Sequence, residues 1–212
     1  AQGRKKHAGD AIFEDVNNDG QLDSKDMKFM GYIRPDKVGG IVNSFKYKGL
    51  TVRVVMDWAM GHVIDNGFKG QIMGSSRNNN NAIKDAMTNS WQSANDGTKY
   101  PKYTVQSDYD YQYRNHMRWD NQIGSSESGS TNNSLYFSKG DYLAFREVSL
   151  SYMLPSTWVR KIRLSGVEVF AGAYNIGYIK KYDGMFPEIY TGVDYGVYPR
   201  PRQYNMGVKI NF

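Results

Sequence analysis

Gln203-Tyr204-Asn205-Met206-Gly207-Val208-Lys209-Ile210-Asn211-Phe212 closes the sequence, and its reading decides the fold. Tyr204, Met206, Val208, Ile210 and Phe212 fall on one side, with Gln203, Asn205, Gly207, Lys209 and Asn211 on the other. Successive side chains of a β-strand point to opposite faces, so unbroken period-two alternation reads as a strand with one apolar and one polar face.

The same period recurs upstream. Leu50, Val52, Val54, Met56, Trp58 and Met60 oppose Thr51, Arg53, Val55, Asp57 and Ala59. Val167, Val169, Ala171 and Ala173 oppose Glu168, Phe170, Gly172 and Tyr174, where aromatics weaken the polar face. Ile41, Phe45 and Tyr47 share a side that Asn43 interrupts. In the strand that begins near Asp141, Leu143 and Phe145 agree in parity, but Val148, Leu150 and Tyr152 have the opposite parity. One extra residue at Arg146-Glu147, a β-bulge, restores the register.

Connections between these strands are unequal. Lys48-Gly49 is a tight turn and Leu154 to Ser165, with Pro155, is short; Gly61 to Gly140 and Ile176 to Pro201 are long. Alternating short turns and long loops match an outer-membrane barrel, whose periplasmic turns are short and extracellular loops long. With the C-terminus periplasmic, the strand at 202–212 descends, and the loops at 1–37 and 61–140 fall outside. Strands of about ten residues, at roughly 3.3 Å each and tilted by about 45°, span about 23 to 25 Å, the height of a barrel's apolar band. The alternative is a soluble calcium-stabilised carbohydrate-binding β-sandwich, whose strands are commonly about five or six residues.

Composition narrows the classes further. With no cysteine there is no disulfide framework, thiolate metal site or cysteine nucleophile. The 27 basic and 21 acidic residues leave +6, but Lys and Arg are dispersed, which gives nucleic-acid binding little support. A mean hydropathy of -0.66 and no long apolar run exclude a transmembrane helix, not a barrel, because alternating strands have unremarkable mean hydropathy. Ala1-Gln2-Gly3-Arg4-Lys5-Lys6-His7 has no initiator Met and no apolar targeting core, so it reads as an internal start. Five strands cannot close a barrel that lines a conduit, and two open edges in hydrocarbon are untenable, so partner strands are expected upstream.

Three groups of residues are candidate sites. In Asp15-Val16-Asn17-Asn18-Asp19-Gly20-Gln21-Leu22-Asp23-Ser24-Lys25-Asp26, oxygen side chains fall at positions one, three, five, nine and twelve, with Gly20 at the sharp turn. Hard cations take that many oxygens at that spacing, so Asp15, Asn17, Asp19, the Gln21 carbonyl and Asp26 are candidate Ca2+ ligands. Position twelve is Asp rather than the longer Glu, no clear helix precedes the loop, and the competing reading is an Asx-rich turn held by its own hydrogen bonds. The longest loop carries Trp91, Tyr109, Tyr111, Tyr113 and Trp119 beside Asp108, Asp110 and Arg114. Aromatics next to carboxylates suit a sugar or peptide, making Trp91, Tyr109, Tyr111 and Trp119 the substrate-binding candidates, against loop packing as the alternative. A short helix is expected over 82–92 within this loop. His7, His62 and His116 are scattered, and no GxSxG, GxxxxGK[ST] or strand-borne GxGxxG occurs, so the chain does not read as an enzyme.

Taken in order, several motifs resemble one family. Gly9-Asp10, the Asp15 to Asp23 stretch, Gly31, Tyr47-Lys48-Gly49 and Asp57-Trp58 are similar to a region of SusC-like TonB-dependent outer-membrane transporters. So are Gly140-Asp141-Tyr142-Leu143, Val148 to Pro155, Tyr174-Asn175-Ile176 and Tyr195-Gly196-Val197-Tyr198-Pro199-Arg200-Pro201-Arg202 leading into the last strand. The resemblance covers essentially the whole chain. It implies an all-β fold: the C-terminal segment, about five strands, of a large antiparallel transmembrane β-barrel of about 22 strands, whose N-terminal plug and TonB box lie outside this chain. It further implies import of oligosaccharide or peptide, energised by the TonB complex, with a SusD-like surface lipoprotein as lid. Tyr204, Val208, Ile210 and Phe212 resemble the assembly signal read by the barrel-assembly machinery, a reader that can pair with an exposed strand edge. Basic residues above an aromatic girdle would meet outer-membrane lipid phosphates.

Overall fold

The computed structural model describes residues 7–20, 24–69, 84–98, 100–103 and 134–212. Among them, seven strands form: β1 (Lys37–Tyr47), β2 (Leu50–Met60), β3 (Val63–Asp65), β4 (Phe137–Lys139), β5 (Tyr142–Met153), β6 (Gly166–Lys180) and β7 (Gln203–Asn211). β1, β2, β5, β6 and β7 pair in that order as one antiparallel sheet, and β3 and β4 make a separate two-stranded sheet. The chain divides into two compact units, Ala1–Ile33 with Val63–Ser138 and Ile189–Val197, and Arg34–His62 with Lys139–Glu188 and Tyr198–Phe212.

The five-stranded sheet belongs to the second unit. Its first hairpin closes through Lys48 and Gly49 at φ 44° and 86°, the two positive-φ positions of a turn whose twist matches the flanking strands. Gly49 has a second reason to be glycine, since a Cβ there would lie 2.7 Å from the Met153 carbonyl oxygen. β1 starts at Lys37, ahead of the alternation visible from Ile41, because ladder pairing with β2 continues to Lys37 opposite Met60. Asn43 does not end the strand; it sits opposite Val54 and its backbone stays in the ladder.

Register makes the two faces continuous. On one face Phe45 opposes Val52, Val52 opposes Leu150, Leu150 opposes Ala171, and Ala171 opposes Met206. On the other, Ser44 opposes Arg53, Arg53 opposes Ser149, Ser149 opposes Gly172, and Gly172 opposes Asn205. The bulge is present: Val55 pairs with Glu147 and Met56 with Phe145, which leaves Arg146 without a partner on β2. β6 answers with a residue of its own, since Phe145 faces Gly177 while Glu147 faces Tyr174. Asn175, at φ 51°, takes up that irregularity, so β6 continues to Lys180 rather than ending near Tyr174.

The apolar face is uncovered, with Phe45, Leu150, Val169, Ile179, Tyr204, Met206, Val208 and Ile210 all exposed. A soluble β-sandwich would bury that face against a second sheet; here a contiguous apolar surface runs across five strands, far beyond what single exposed residues produce.

The first unit is held differently, by backbone hydrogen bonds between remote loops. Val63 donates to Tyr32 at 2.9 Å, Asp65 to Gly192 at 2.9 Å, Asp194 back to Asp65 at 2.8 Å, and Asn66 to Tyr136 at 2.9 Å. Ile64, fully buried, and the pair Tyr100 and Tyr136 form its apolar centres. Helix α1 spans Lys84–Thr88. It stops short of the expected Gln92 because Ser90 bridges to Tyr100 and the Trp91 N–H donates to the Tyr100 carbonyl at 3.0 Å.

Register dependence on one residue is testable in the full-length protein. Deleting Arg146 removes the extra residue and leaves Phe145, Glu147 and Val148 in regular alternation opposite Met56, Val55 and Val54, so the compact, heat-modifiable form on gels should persist, as it should in Arg146→Ala. Inserting one alanine after Glu147 either flips Val148, Leu150 and Tyr152 or turns Glu147 to the apolar face, and should abolish that form; equal migration of the insertion and the wild type would refute the role of the bulge.

Candidate functional site

Polar-face residues of β2, β5 and β6 converge around the bulge. A bulge directs two consecutive side chains to one side, and both Arg146 and Glu147 find polar-face partners. Glu147 pairs with Arg53 at 3.4 Å and accepts from the Ser149 hydroxyl at 2.8 Å. Arg146 grips Asp57 with two guanidinium nitrogens, Nη2 donating to Oδ2 at 2.7 Å, a bidentate geometry that suits guanidinium and carboxylate.

Arg146 also reaches the segment that follows β6. Its Nη1 lies 2.6 Å from Glu188 Oε1 and donates to the Tyr178 hydroxyl at 3.2 Å, and that hydroxyl donates to Glu188 Oε1 at 2.7 Å. The Glu188 side chain is 1% exposed, and a second cation, Arg200, lies 3.4 Å from its Oε2. Phe186 packs edge-on to Tyr178 at 5.8 Å, and Tyr178 packs edge-on to Tyr142 at 5.9 Å, above the buried Ala59 and Ala144. Lys180 donates to the Tyr182 carbonyl at 3.1 Å and to the Gly184 carbonyl. Residues 181–188 are thereby laid over the polar face.

At the same end of the sheet, His62 is 5% exposed and its carbonyl accepts from Gly140 at 2.8 Å. Burial pushes the His62 imidazole below its ordinary pKa, with Asp141 pulling the other way. In the loop of α1, Asp96 is held at about 2 by backbone N–H groups of Gln92 and Ser93.

The calcium-like loop is drawn together in part. Asp15 Oδ1 and Oδ2 accept from Asp19 and Gly20 at 3.2 and 2.8 Å, Asn17 Oδ1 accepts from Asp19 at 3.0 Å, and Asp26 Oδ1 accepts from Val16 at 2.9 Å. Gln21 lies outside the described residues, and among those described no set of three or more His, Asp or Glu has metal-holding geometry. Of the aromatic candidates, Trp91 is half-buried with its ring packed on Gly9, whose φ is 90°; Tyr109, Tyr111 and Trp119 lie outside the described residues. Tyr204, Val208 and Ile210 share the exposed apolar face of β7, and Phe212 follows it, exposed.

Sequence reading did not single out the Asp57–Arg146–Glu188–Tyr178 network. A charged residue at a parity break was the signal for Arg146, and an acid amid the aliphatics of β2 for Asp57. Nothing local pointed to Glu188, which the fold of the segment after β6 brings in.

No family model matches the chain. It is 25% identical over 216 residues to TonB-dependent receptor P3 of Formosa agariphila, covering 96% of this chain and 19% of that protein. TonB-dependent receptor SusC of Bacteroides thetaiotaomicron is 26% identical over 91 residues, 42% of this chain and 9% of SusC. The chain thus spans about a fifth or less of the length of the curated relatives it matches. Among solved structures, the RagAB peptide importer in the closed-closed state superposes with a TM-score of 0.62 at 21% identity, covering 92% of this chain and 20% of that one. The relatives are receptors and transporters, not enzymes, and the fold is a stretch of a transmembrane β-barrel wall.

Two outcomes follow. Arg146→Met leaves Asp57 without its bidentate partner and buried Glu188 with Arg200 alone, and should cost about 3 to 5 kcal/mol, while adding Glu188→Gln should recover part of that; urea midpoints of the full-length protein report both, and additive losses would refute the coupling. A histidine whose folded pKa is depressed contributes stability above its unfolded pKa of about 6.5 that is lost as pH falls. Protection of the Gly140 amide against hydrogen exchange, corrected for intrinsic rate, should therefore fall below about pH 6.5, and His62→Asn should flatten the dependence.

Proposed function

We propose that this chain, a relative of the SusC-like TonB-dependent receptors and a stretch of their transmembrane barrel, forms part of the wall of an outer-membrane nutrient importer. The observation that carries this is the register, which keeps one face predominantly apolar, with Asn43 its exception, and the other predominantly polar across five strands. In lipid every backbone group must be paired, so such a face belongs to a closed barrel completed by other strands. Its apolar side meets acyl chains and its polar side lines the lumen, where the Arg146 network holds residues 181–188 inward.

The importer takes up oligosaccharide or peptide, works with a SusD-like surface lipoprotein, and draws energy from the TonB complex through regions outside this chain. Its likeness to SusC and to the RagAB importer supports this. The loops at 1–37 and 61–140 are extracellular and the C-terminus is periplasmic. Trp91, Tyr109, Tyr111 and Trp119 contact substrate, and Tyr204, Val208, Ile210 and Phe212 present an edge to the assembly machinery. The Asp15 to Asp26 loop holds Ca2+: each oxygen of Asp15 accepts one N–H and keeps a lone pair for a cation, and Asn17, Asp19 and Asp26 lie in the same turn.

Affinity purification of the full-length protein tests the reading. It should require detergent, migrate in a heat-modifiable way and bring down a surface lipoprotein. Loss of its gene or of TonB should abolish growth on one peptide or oligosaccharide source. Recovery from a soluble periplasmic fraction without detergent would overturn it.

A further inference from the structure

The connection between β5 and β6 is the only turn at the short-turn end, among the described residues, that builds helix. After Pro155, helix α2 (Ser156–Val159) runs directly into a 3-10 turn, Arg160–Ile162. Arg163, at φ 61°, reverses the chain, and Leu164 donates back to the Val159 carbonyl at 3.3 Å. Leu154 bonds Val167 at 2.9 Å and Ser165 bonds Asn211 at 2.8 Å, so both ends of the turn are tied to the sheet. Val159, 2% exposed, faces inward. Trp158 and Ile162, four residues apart and so neighbours on a helical surface, are 62% and 64% exposed.

Charge is one-sided here. Arg160, Lys161 and Arg163 stand in the turn, Lys48 in the neighbouring hairpin, and no acid occurs between Leu154 and Val167. The apolar face ends at the same level in exposed Tyr47 and Tyr152. Exposed tryptophan and isoleucine beside three cations are poorly served by water. At a membrane surface the indole sits at headgroup level, and cations meet phosphates.

We propose that residues 155–165 form an interfacial anchor: Trp158 and Ile162 enter the headgroup–acyl boundary, and Arg160, Lys161, Arg163 and Lys48 bind the phosphates of anionic phospholipid. This rests on the barrel-wall reading. Lipid is favoured over a protein partner because the turn continues the exposed apolar face and because its charge is wholly basic. The anchor fixes the depth of the wall at its short-turn end.

Full-length protein is reconstituted in nanodiscs of phosphatidylethanolamine with phosphatidylglycerol, and in phosphatidylcholine alone. Lipids brominated near the headgroup should quench a component of tryptophan emission that Trp158→Phe removes. Replacing Arg160, Lys161 and Arg163 by Gln should cut the preference for phosphatidylglycerol, read by lipids retained in native mass spectrometry, by about fivefold per cation. Heat-modifiable migration of each variant establishes that the barrel is intact. Insertion with Trp158 unquenched by bromolipid, or an unchanged lipid preference in the triple variant, overturns the anchor alone; failure to insert overturns the wall reading beneath it.

Discussion

A strand that separates hydrocarbon from water has no tolerance for a slip of one residue, because every side chain then changes face. β5 meets that constraint with an extra residue. If Arg146 took a regular place in the ladder instead of bulging, Leu143 and Phe145 would stand opposite in face to Val148, Leu150 and Tyr152, and the apolar surface shared with β2 and β6 would break in the middle. β6 carries a compensating irregularity at Asn175 and Gly177, so the correction passes across the sheet without opening the ladder. Continuity of both faces depends on this local device.

The same device supplies chemistry. Placing two consecutive side chains on the polar side puts Arg146 against Asp57 and Glu147 against Arg53. Four charges on adjacent strands thus neutralise one another in pairs. Arg146 then has capacity left for Glu188, a carboxylate that buries only because the guanidinium and the Tyr178 hydroxyl meet it there. Removing that guanidinium leaves the buried carboxylate with Arg200 alone, which costs more than a surface ion pair contributes. The path of the chain after β6 is therefore coupled to a residue in β5.

Charge differs between the two ends of the sheet. Both signs mix toward the long connections, where Asp141 pairs with Lys181 and Glu188 with Arg146 and Arg200, whereas the short turns carry Lys48, Arg160, Lys161 and Arg163 with no acid between Leu154 and Val167. Such a division is expected where one end faces a phosphate-rich surface and the other an aqueous, ligand-handling space.

Alternation in Leu50 to Met60 and Gln203 to Phe212 was enough to name the strands and their faces, and the parity break at Arg146-Glu147 was enough to place the bulge, because a period of two is a local property that hydrophobicity writes directly into the chain. Strand ends were less legible: β1 starts at Lys37 and β6 runs to Lys180 because neighbouring ladders extend them, not because their own residues demand it. The turn from Asp15 to Gly20 was legible in its Asp and Asn spacing, since the side-chain to backbone hydrogen bonds that close it join residues at most five apart. Glu188 was not. Its burial, its pairing with Arg146 and the folding of residues 181–188 onto the polar face join positions far apart in the chain, and only the tertiary structure brings them within hydrogen-bond reach.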